Sequence, residues 1–262
     1  MTDIPAAEIL QVRYDGAIAI MTMNNPKRLN AFNMSMRQTM YARLLEIEAN
    51  DECRAIVLTG AGGNLCAGGD ITEMQHRTVI EGRLRADLPT RIFKLLVTGP
   101  KPLIVAVEGN CMGAGVSFVA ASDYAVAASD AKFGCAFIKV GLMPDVGAIW
   151  SLPRKIGHRK AMELCALAEH FDAQEALRLD LVNKLCEPGN ALQEAIEVAR
   201  RFAKNPPVAM ALMKAALNIG NDPLDQAINT EVNYASVLMH TEDFAEAARA
   251  FMEKRKPVFT GN

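Results

Sequence analysis

"VEGNCMGAGVSFVAASDYAVAASDAKFG" (Val107–Gly134) is the stretch on which the fold turns. It closes the apolar run "LIVAVEG" (103–109), turns through Gly109, Gly113 and Gly115, enters the helix-forming run "GVSFVAAS", and leaves through a second strand candidate, "DYAVAAS". Strand, glycine turn, apolar helix and strand in that order indicate an α/β core with buried parallel strands. A helix opening at Gly113 or Ala114 presents backbone N–H groups with no intrahelical partner and the positive end of its dipole. Two readings stand side by side: close packing of a buried helix, or donors offered to a ligand oxygen.

Working outward, "ILQVRY" (9–14) and "AIAIMTM" (17–23) flank "DG" as a hairpin. "AIVLTG" (55–60) reads as another core strand. From Asn33 to Asn50 the residues Met36, Met40, Leu44 and Ile47 recur at helical spacing, with Arg37, Arg43, Glu46 and Glu48 between them. Beyond residue 195 the character changes: "PPVAMALMKAALNIG" (206–220) and "PLDQAINTEVNYASVLMHTEDFAEAARAFMEKRK" (223–256) read as helices without a strand. The expected division is a core over 1–195 and a helical region over 196–262.

Composition narrows the class. Of 262 residues, 50% are hydrophobic and 22% charged, enough for a large core and against disorder. A net charge of −2 gives no basic surface for nucleic acid. No apolar run reaches the roughly 18 residues of a membrane span, because Glu108 and Asn110 interrupt the best one. Six scattered cysteines without a C-x-x-C pair suit reduced thiols, and the start "MTDIPAAEIL" lacks the order of a signal peptide, so a cytoplasmic location is expected. His76, His158, His170 and His240 show no ligand spacing, so no metal is expected. There is no G-x-S-x-G elbow or P-loop, and "TGAGGNL" fails G-x-G-x-x-G at Leu65.

A second glycine-rich stretch, "NLCAGGDI" (64–71), can set backbone donors opposite those near Gly113. The ordered series "NNPKRLNAF", "LTGAGGNLCAGGDI", the opening stretch, "VGLMPDVGAIWSLPRKIG" and "EDFAEAARAFMEKRKPVF" resembles the crotonase (enoyl-CoA hydratase/isomerase) family over nearly the whole chain. The resemblance implies an α/β spiral of ββα units with a C-terminal helical trimerisation region. It further implies acyl-CoA thioester substrates without a separate cofactor, CoA being part of the substrate, and a homotrimer or dimer of trimers. By the same resemblance Gly69 and Ala114 supply the oxyanion N–H groups. Lys27, Arg28 and Leu29, with the backbone of Ala67, Asp70 and Ile71, hold the CoA adenine and ribose. Phe251 and Lys254 reach a CoA on a neighbouring subunit.

The family's hydratases carry two glutamates, and here their positions hold Ser117 and Phe137. Neither can act as a base near neutral pH. The acid in "GLMPDVG" (141–147) is Asp145, in a register that resembles the single-aspartate isomerases of the family. Apolar neighbours (Leu142, Met143, Val146, Trp150) are expected to raise its pKa. The competing role is capping a helix that begins near Gly147. One carboxylate suffices to move a proton between carbons, so double-bond isomerisation is the favoured reaction. Alternatives are an atypical hydratase, an aspartate-nucleophile dehalogenase assisted by His76, and a non-catalytic CoA- or RNA-binding relative. The segment "MQHRTVIEGRLRADLPTRIFKLL" (74–96) is expected to shape the acyl pocket, with Arg83, Arg85 and Arg91 either on solvated helix faces, the favoured reading, or facing an acidic acyl end.

Overall fold

The computed structural model describes residues 6–73, 79–219, 233, 237–238 and 240–262. A six-stranded sheet runs β1 (Leu10–Asp15), β2 (Ile18–Met23), β3 (Ala55–Gly60), β4 (Leu103–Val107), β6 (Tyr124–Ala128), β9 (Lys184–Cys186). Only β1 and β2 are antiparallel; every later pair is parallel. The hairpin loop is Gly16–Ala17, since Asp15 pairs with Ile18, so "DG" contributes its glycine to the loop and its aspartate to the strand. Gly16, at φ +56°, takes the left-handed conformation that a two-residue loop needs at its first position.

The alternation along the strands divides the core. Ile18, Ile20, Ala55, Val57, Ile104, Ala106 and Val126 face α8 (Ala191–Ala203), which applies Ala191, Ala195, Ile196 and Ala199 to them. Glu108 seats α8 by accepting hydrogen bonds from the Gly189 and Ala191 amides at 3.1 and 2.9 Å. Residue 195 therefore falls within a helix packed on the sheet. The opposite sheet face, with Ala19, Met21, Ile56, Leu58 and Val105, carries α2 (Met34–Glu48) and α4 (Ala114–Ala121). On α2, Met36, Met40, Leu44 and Ile47 are all buried as their spacing predicts, and the Asn33 side chain caps the helix on the Met36 amide at 2.8 Å.

A smaller sheet joins β5 (Asn110–Met112), β7 (Lys132–Gly134) and β8 (His170–Asp172). An isolated bridge from Cys66 to Cys111 ties the strip after β3 to it. Around these lie α3 (Val79–Thr98), α5 (Ala148–Ile156), α6 (His158–Leu167), α9 (Pro207–Ile219) and a C-terminal helix, Glu242–Met252. This is the expected α/β architecture. Among the described residues no helix is long and apolar enough to cross a membrane.

Candidate active site

The two glycine-rich stretches meet. A β-carbon built on Gly113 would lie 3.3 Å from the Gly68 Cα, and one on Gly68 would lie 3.4 Å from the Met112 carbonyl oxygen. The approach is tight at Gly113, and both residues have positive φ (+50° and +98°), which favours glycine at each. The residues that follow these two glycines are Gly69 and Ala114. Ala114 is the first residue of α4, so its N–H has no intrahelical acceptor. Among the described residues the Gly69 amide donates no hydrogen bond either. The Phe32 amide donates to the Gly68 carbonyl at 2.8 Å and the Gly113 amide to that of Gly134 at 2.8 Å, which fixes both turns. All of α4 is buried, so packing and exposed donors occur together at this place.

The strip after β2 joins the same place. Asn30 is buried with φ +58°; its side chain donates to the Ala61 and Asn64 carbonyls at 2.9 and 2.7 Å and accepts from the Asn25 amide at 2.8 Å. That brace brings Lys27, Arg28 and Leu29 against Ala67 and Asp70. The Ala67 amide donates to the Leu29 carbonyl at 2.9 Å, and Arg28 pairs with Asp70 at 3.1 Å. Burial works to raise the Asp70 pKa, but hydrogen bonds from Thr72 and the Arg28 guanidinium outweigh it and leave the carboxyl below its ordinary value. Lys27 and Leu29 are exposed beside it. Ile71 opens a short 3-10 helix; its side chain and that of Phe251 lie outside the described residues, as does His76. Lys254 is exposed beyond the C-terminal helix, and no described hydrogen bond or ion pair joins it to the Lys27–Asp70 cluster of the same chain.

A cavity of about 660 Å³ is lined chiefly by Pro89, Phe93, Val146 and Ile149, with Arg37, Arg85 and Asp145 as its charged groups; Ser117 ties it to the glycine turn, its amide donating to the Gly113 carbonyl at 3.1 Å and its hydroxyl to that of Asp145 at 3.0 Å. On α3 the lining residues Gly82, Arg85, Ala86, Pro89, Thr90 and Phe93 follow one helical face, so the 74–96 segment does form a cavity wall. Asp145 is exposed at the mouth, and its carbonyl accepts hydrogen bonds from the Ser117 hydroxyl at 3.0 Å and the Ala148 amide at 3.0 Å. Val146 then takes φ +49°, a costly conformation for a β-branched residue, and Gly147 takes +72°. A β-carbon on Gly147 would collide with the Phe93 ring at 2.3 Å, so the turn and the α3 wall of the cavity interlock.

Several expectations need correcting here. Asp145 does not cap α5 through its side chain: the cap residue is Gly147, without a side-chain bond. Its apolar surround is thinner than expected, because Leu142 and Met143 are 42% and 65% exposed and Trp150 leans on Phe93 and Arg154 instead. The Asp145 pKa is nevertheless raised by desolvation, with the Arg37 guanidinium pulling it down. Solvent at the cavity mouth tempers that rise. Arg85 is not on a solvated face: its side chain is 15% exposed and pairs with Glu73 at 2.8 Å, while Arg91 is exposed and pairs with Asp87.

Arg37 is the functional candidate that sequence reasoning missed. Counted among the charged residues between apolar positions of α2, it is 4% exposed. Its Nε donates to the Phe32 carbonyl at 3.0 Å, and its guanidinium lies over the Phe32 ring at 5.1 Å. Burial, then Arg85, lowers its pKa, against the pull of Asp145 and Glu73. The only sequence signal was its place beside Met36, one step from the buried stripe.

Ser117, fully buried, and Phe137, whose ring faces Gly113, stand where the resemblance sets glutamates. A sequence model of the enoyl-CoA hydratase/isomerase family matches residues 13–262. The chain belongs to that family. It is 38% identical over 244 residues to a short-chain-enoyl-CoA hydratase of Clostridium acetobutylicum, covering 92% of this chain and 94% of that one. It is 33% identical over 263 residues to a 1,2-epoxyphenylacetyl-CoA isomerase of Escherichia coli, covering 97% and 99%. The crystal structure of an enoyl-CoA hydratase from Polaromonas sp. JS666 superposes with a TM-score of 0.91 at 34% identity, covering 95% of this chain and 99% of that one. An enoyl-CoA hydratase/isomerase family member of this fold is an acyl-CoA-processing enzyme of the crotonase type.

Proposed function

We propose that the enzyme shifts the double bond of an unsaturated acyl-CoA from the 3- to the 2-position, with Asp145 as the proton shuttle. One observation carries this reading: among the described residues lining the cavity, Asp145 is the only carboxylate. The Asp145 carboxylate removes a proton from C2 of the 3-enoyl thioester. The C–H electron pair moves towards the thioester oxygen, where the amides of Gly69 and Ala114 stabilise the enolate. Asp145, now protonated, returns the proton to C4, and the double bond settles between C2 and C3. Such donors contribute roughly 3–4 kcal/mol each in other oxyanion holes. Lys27, Arg28, Leu29, Ala67, Asp70 and Ile71 hold the CoA nucleotide, and assembly as a trimer or dimer of trimers lets Phe251 and Lys254 reach a neighbour's CoA. No separate cofactor takes part.

The hydratase reading has the names of most relatives in its favour. It requires a second group to activate water. Ser117 is committed to the Asp145 carbonyl, and Phe137 has no ionisable group. The two readings separate on purified protein given 3-hexenoyl-CoA or 2-hexenoyl-CoA, with conjugated-thioester absorbance followed in time. Growth of absorbance from the 3-enoyl ester, lost by about 10²–10⁴-fold in Asp145→Asn, is the expected result. Loss of absorbance from the 2-enoyl ester, undiminished in that variant, would replace isomerisation by hydration.

A further inference from the structure

Arg37 poses a problem that the proton shuttle leaves unsolved. It is a buried cation in the wall of the acyl cavity, and among the described residues no carboxylate forms an ion pair with it. Glu73, whose charge also acts on Arg37, is already committed: it accepts from Arg85 at 2.8 Å and from the Met34 amide at 3.0 Å, at the start of α2. Asp145 shares the cavity with Arg37 but stands too far away for a direct pair. Of the Arg37 nitrogens, Nε alone has an acceptor among the described residues, the Phe32 carbonyl. The terminal nitrogens, a rigid pair of donors suited to a carboxylate, remain available. No buried side-chain nitrogen among the described residues lacks a hydrogen-bond partner, so these terminal nitrogens open on the cavity; a guanidinium held there by one carbonyl and the face of Phe32 costs more than an apolar side chain of similar size. Arg85 adds a second, half-buried cation to the same wall, one helical turn from Pro89 on α3.

From this juxtaposition we infer that the acyl group carries its own carboxylate, bound by Arg37 with support from Arg85, so that the substrates are CoA monoesters of short unsaturated diacids. The apolar residues of the cavity then hold the carbon chain between the thioester and that carboxylate. The inference deepens the isomerase reading and rests on it for the position of the double bond, though recognition of the diacid is measurable without turnover.

The experiment pairs two six-carbon esters that differ only in the terminal carboxylate: 3-hexenedioyl-CoA and 3-hexenoyl-CoA. Wild-type kcat/KM is expected to favour the diacid ester by roughly tenfold or more, the scale of one charge-assisted hydrogen-bonded pair. Arg37→Met is expected to abolish or invert the preference, and Arg37→Lys to keep part of it. Because Arg37→Met can disturb the fold, wild-type affinities for the saturated esters adipyl-CoA and hexanoyl-CoA are measured by calorimetry in parallel. The same order is expected there. Turnover of both unsaturated esters with equal kcat/KM would overturn the inference and leave the isomerase standing. Tighter binding of adipyl-CoA without isomerisation of either ester would overturn the isomerase and leave the inference standing.

Discussion

Two neighbouring parts of the candidate site, called walls here, are built by different means. The first, proposed for the thioester, sets Gly68–Asp70 against Gly113–Ser117, backbone against backbone, and its amides need no side chain. The acyl wall, α3 with residues 140–149, consists of side chains, several of them exposed at the rim. Chemistry common to all thioesters can reside in the first, because a backbone amide is the same whichever residue carries it. Whatever distinguishes one acyl group from another must reside in the second, where Arg37, Arg85, Phe93 and Asp145 differ in charge and shape. The comparison predicts that damage to the first wall lowers turnover on every ester. Damage to the second should redistribute activity among esters or change its pH dependence, with Asp145 the exception as the proposed proton shuttle.

The largest effect after loss of the Asp145 carboxylate is expected from Gly113→Ala. The new methyl group would meet Gly68 at 3.3 Å on a backbone of φ +50°, forcing the two turns apart. Displacing one donor should lower kcat by about 10²–10³ on all acyl chains, by analogy with other oxyanion holes. A variant that is less stable but unchanged in kcat would reduce this wall to packing and break the comparison. Gly147→Ala acts on the other wall, where its methyl would drive into the Phe93 ring. Strain of roughly 1–3 kcal/mol is expected in thermal unfolding, with KM changing more for long acyl chains than for short. Equal changes for all chains would place Phe93 outside the acyl path.

The pH dependence sharpens the contrast further. In the proposed mechanism Asp145 must be ionised to accept the first proton, so activity is expected to fall as pH falls through its pKa. Burial raises that pKa, which puts the acid limb of kcat/KM above the ordinary carboxylate range of about 4. Arg37 opposes the rise, so Arg37→Met should move the limb to still higher pH while Arg85→Gln, whose partner is Glu73, moves it less. A limb at the ordinary carboxylate value in wild type would mean that the titrating group is not Asp145.

How much of this was legible in the sequence follows the same division. The strands β3, β4 and β6 are short apolar runs closed by turn residues, and α4 is announced by Gly113; runs and glycines are visible one residue at a time. The cluster of Lys27, Arg28, Leu29, Ala67 and Asp70 came from motifs whose order survives in the chain, and Asn30, unremarked in the sequence, is the brace that joins them. The strands β5, β7, β8 and β9 have three residues each, too few to show a period of two. Arg37 was read only as a charged residue between apolar positions, because helical spacing marks the stripe facing the sheet and says nothing of a second contact, here with the Phe32 carbonyl and the cavity. Arg85 was misplaced for the same reason: only the fold shows which face of α3 turns inward.

The smallest predicted effect tests the seam between the two walls. Ser117 belongs to α4, on the thioester side, yet its hydroxyl donates to the carbonyl of Asp145, on the acyl side, at 3.0 Å. It holds a turn that includes Val146 at φ +49°. Ser117→Ala removes the bond without adding volume, and the Ala148 amide still donates to the same carbonyl. Stability should therefore fall by only about 0.5–1.5 kcal/mol, read from denaturant unfolding. If the hydroxyl also fixes where Asp145 stands relative to the enolate, kcat should fall more than that loss of stability requires, with KM unchanged. A fall in stability alone would make Ser117 a structural tie. A fall in kcat at constant KM would mean that a position resembling a glutamate in the hydratases here serves catalysis by placing another acid, joining a wall that treats all thioesters alike to one that does not.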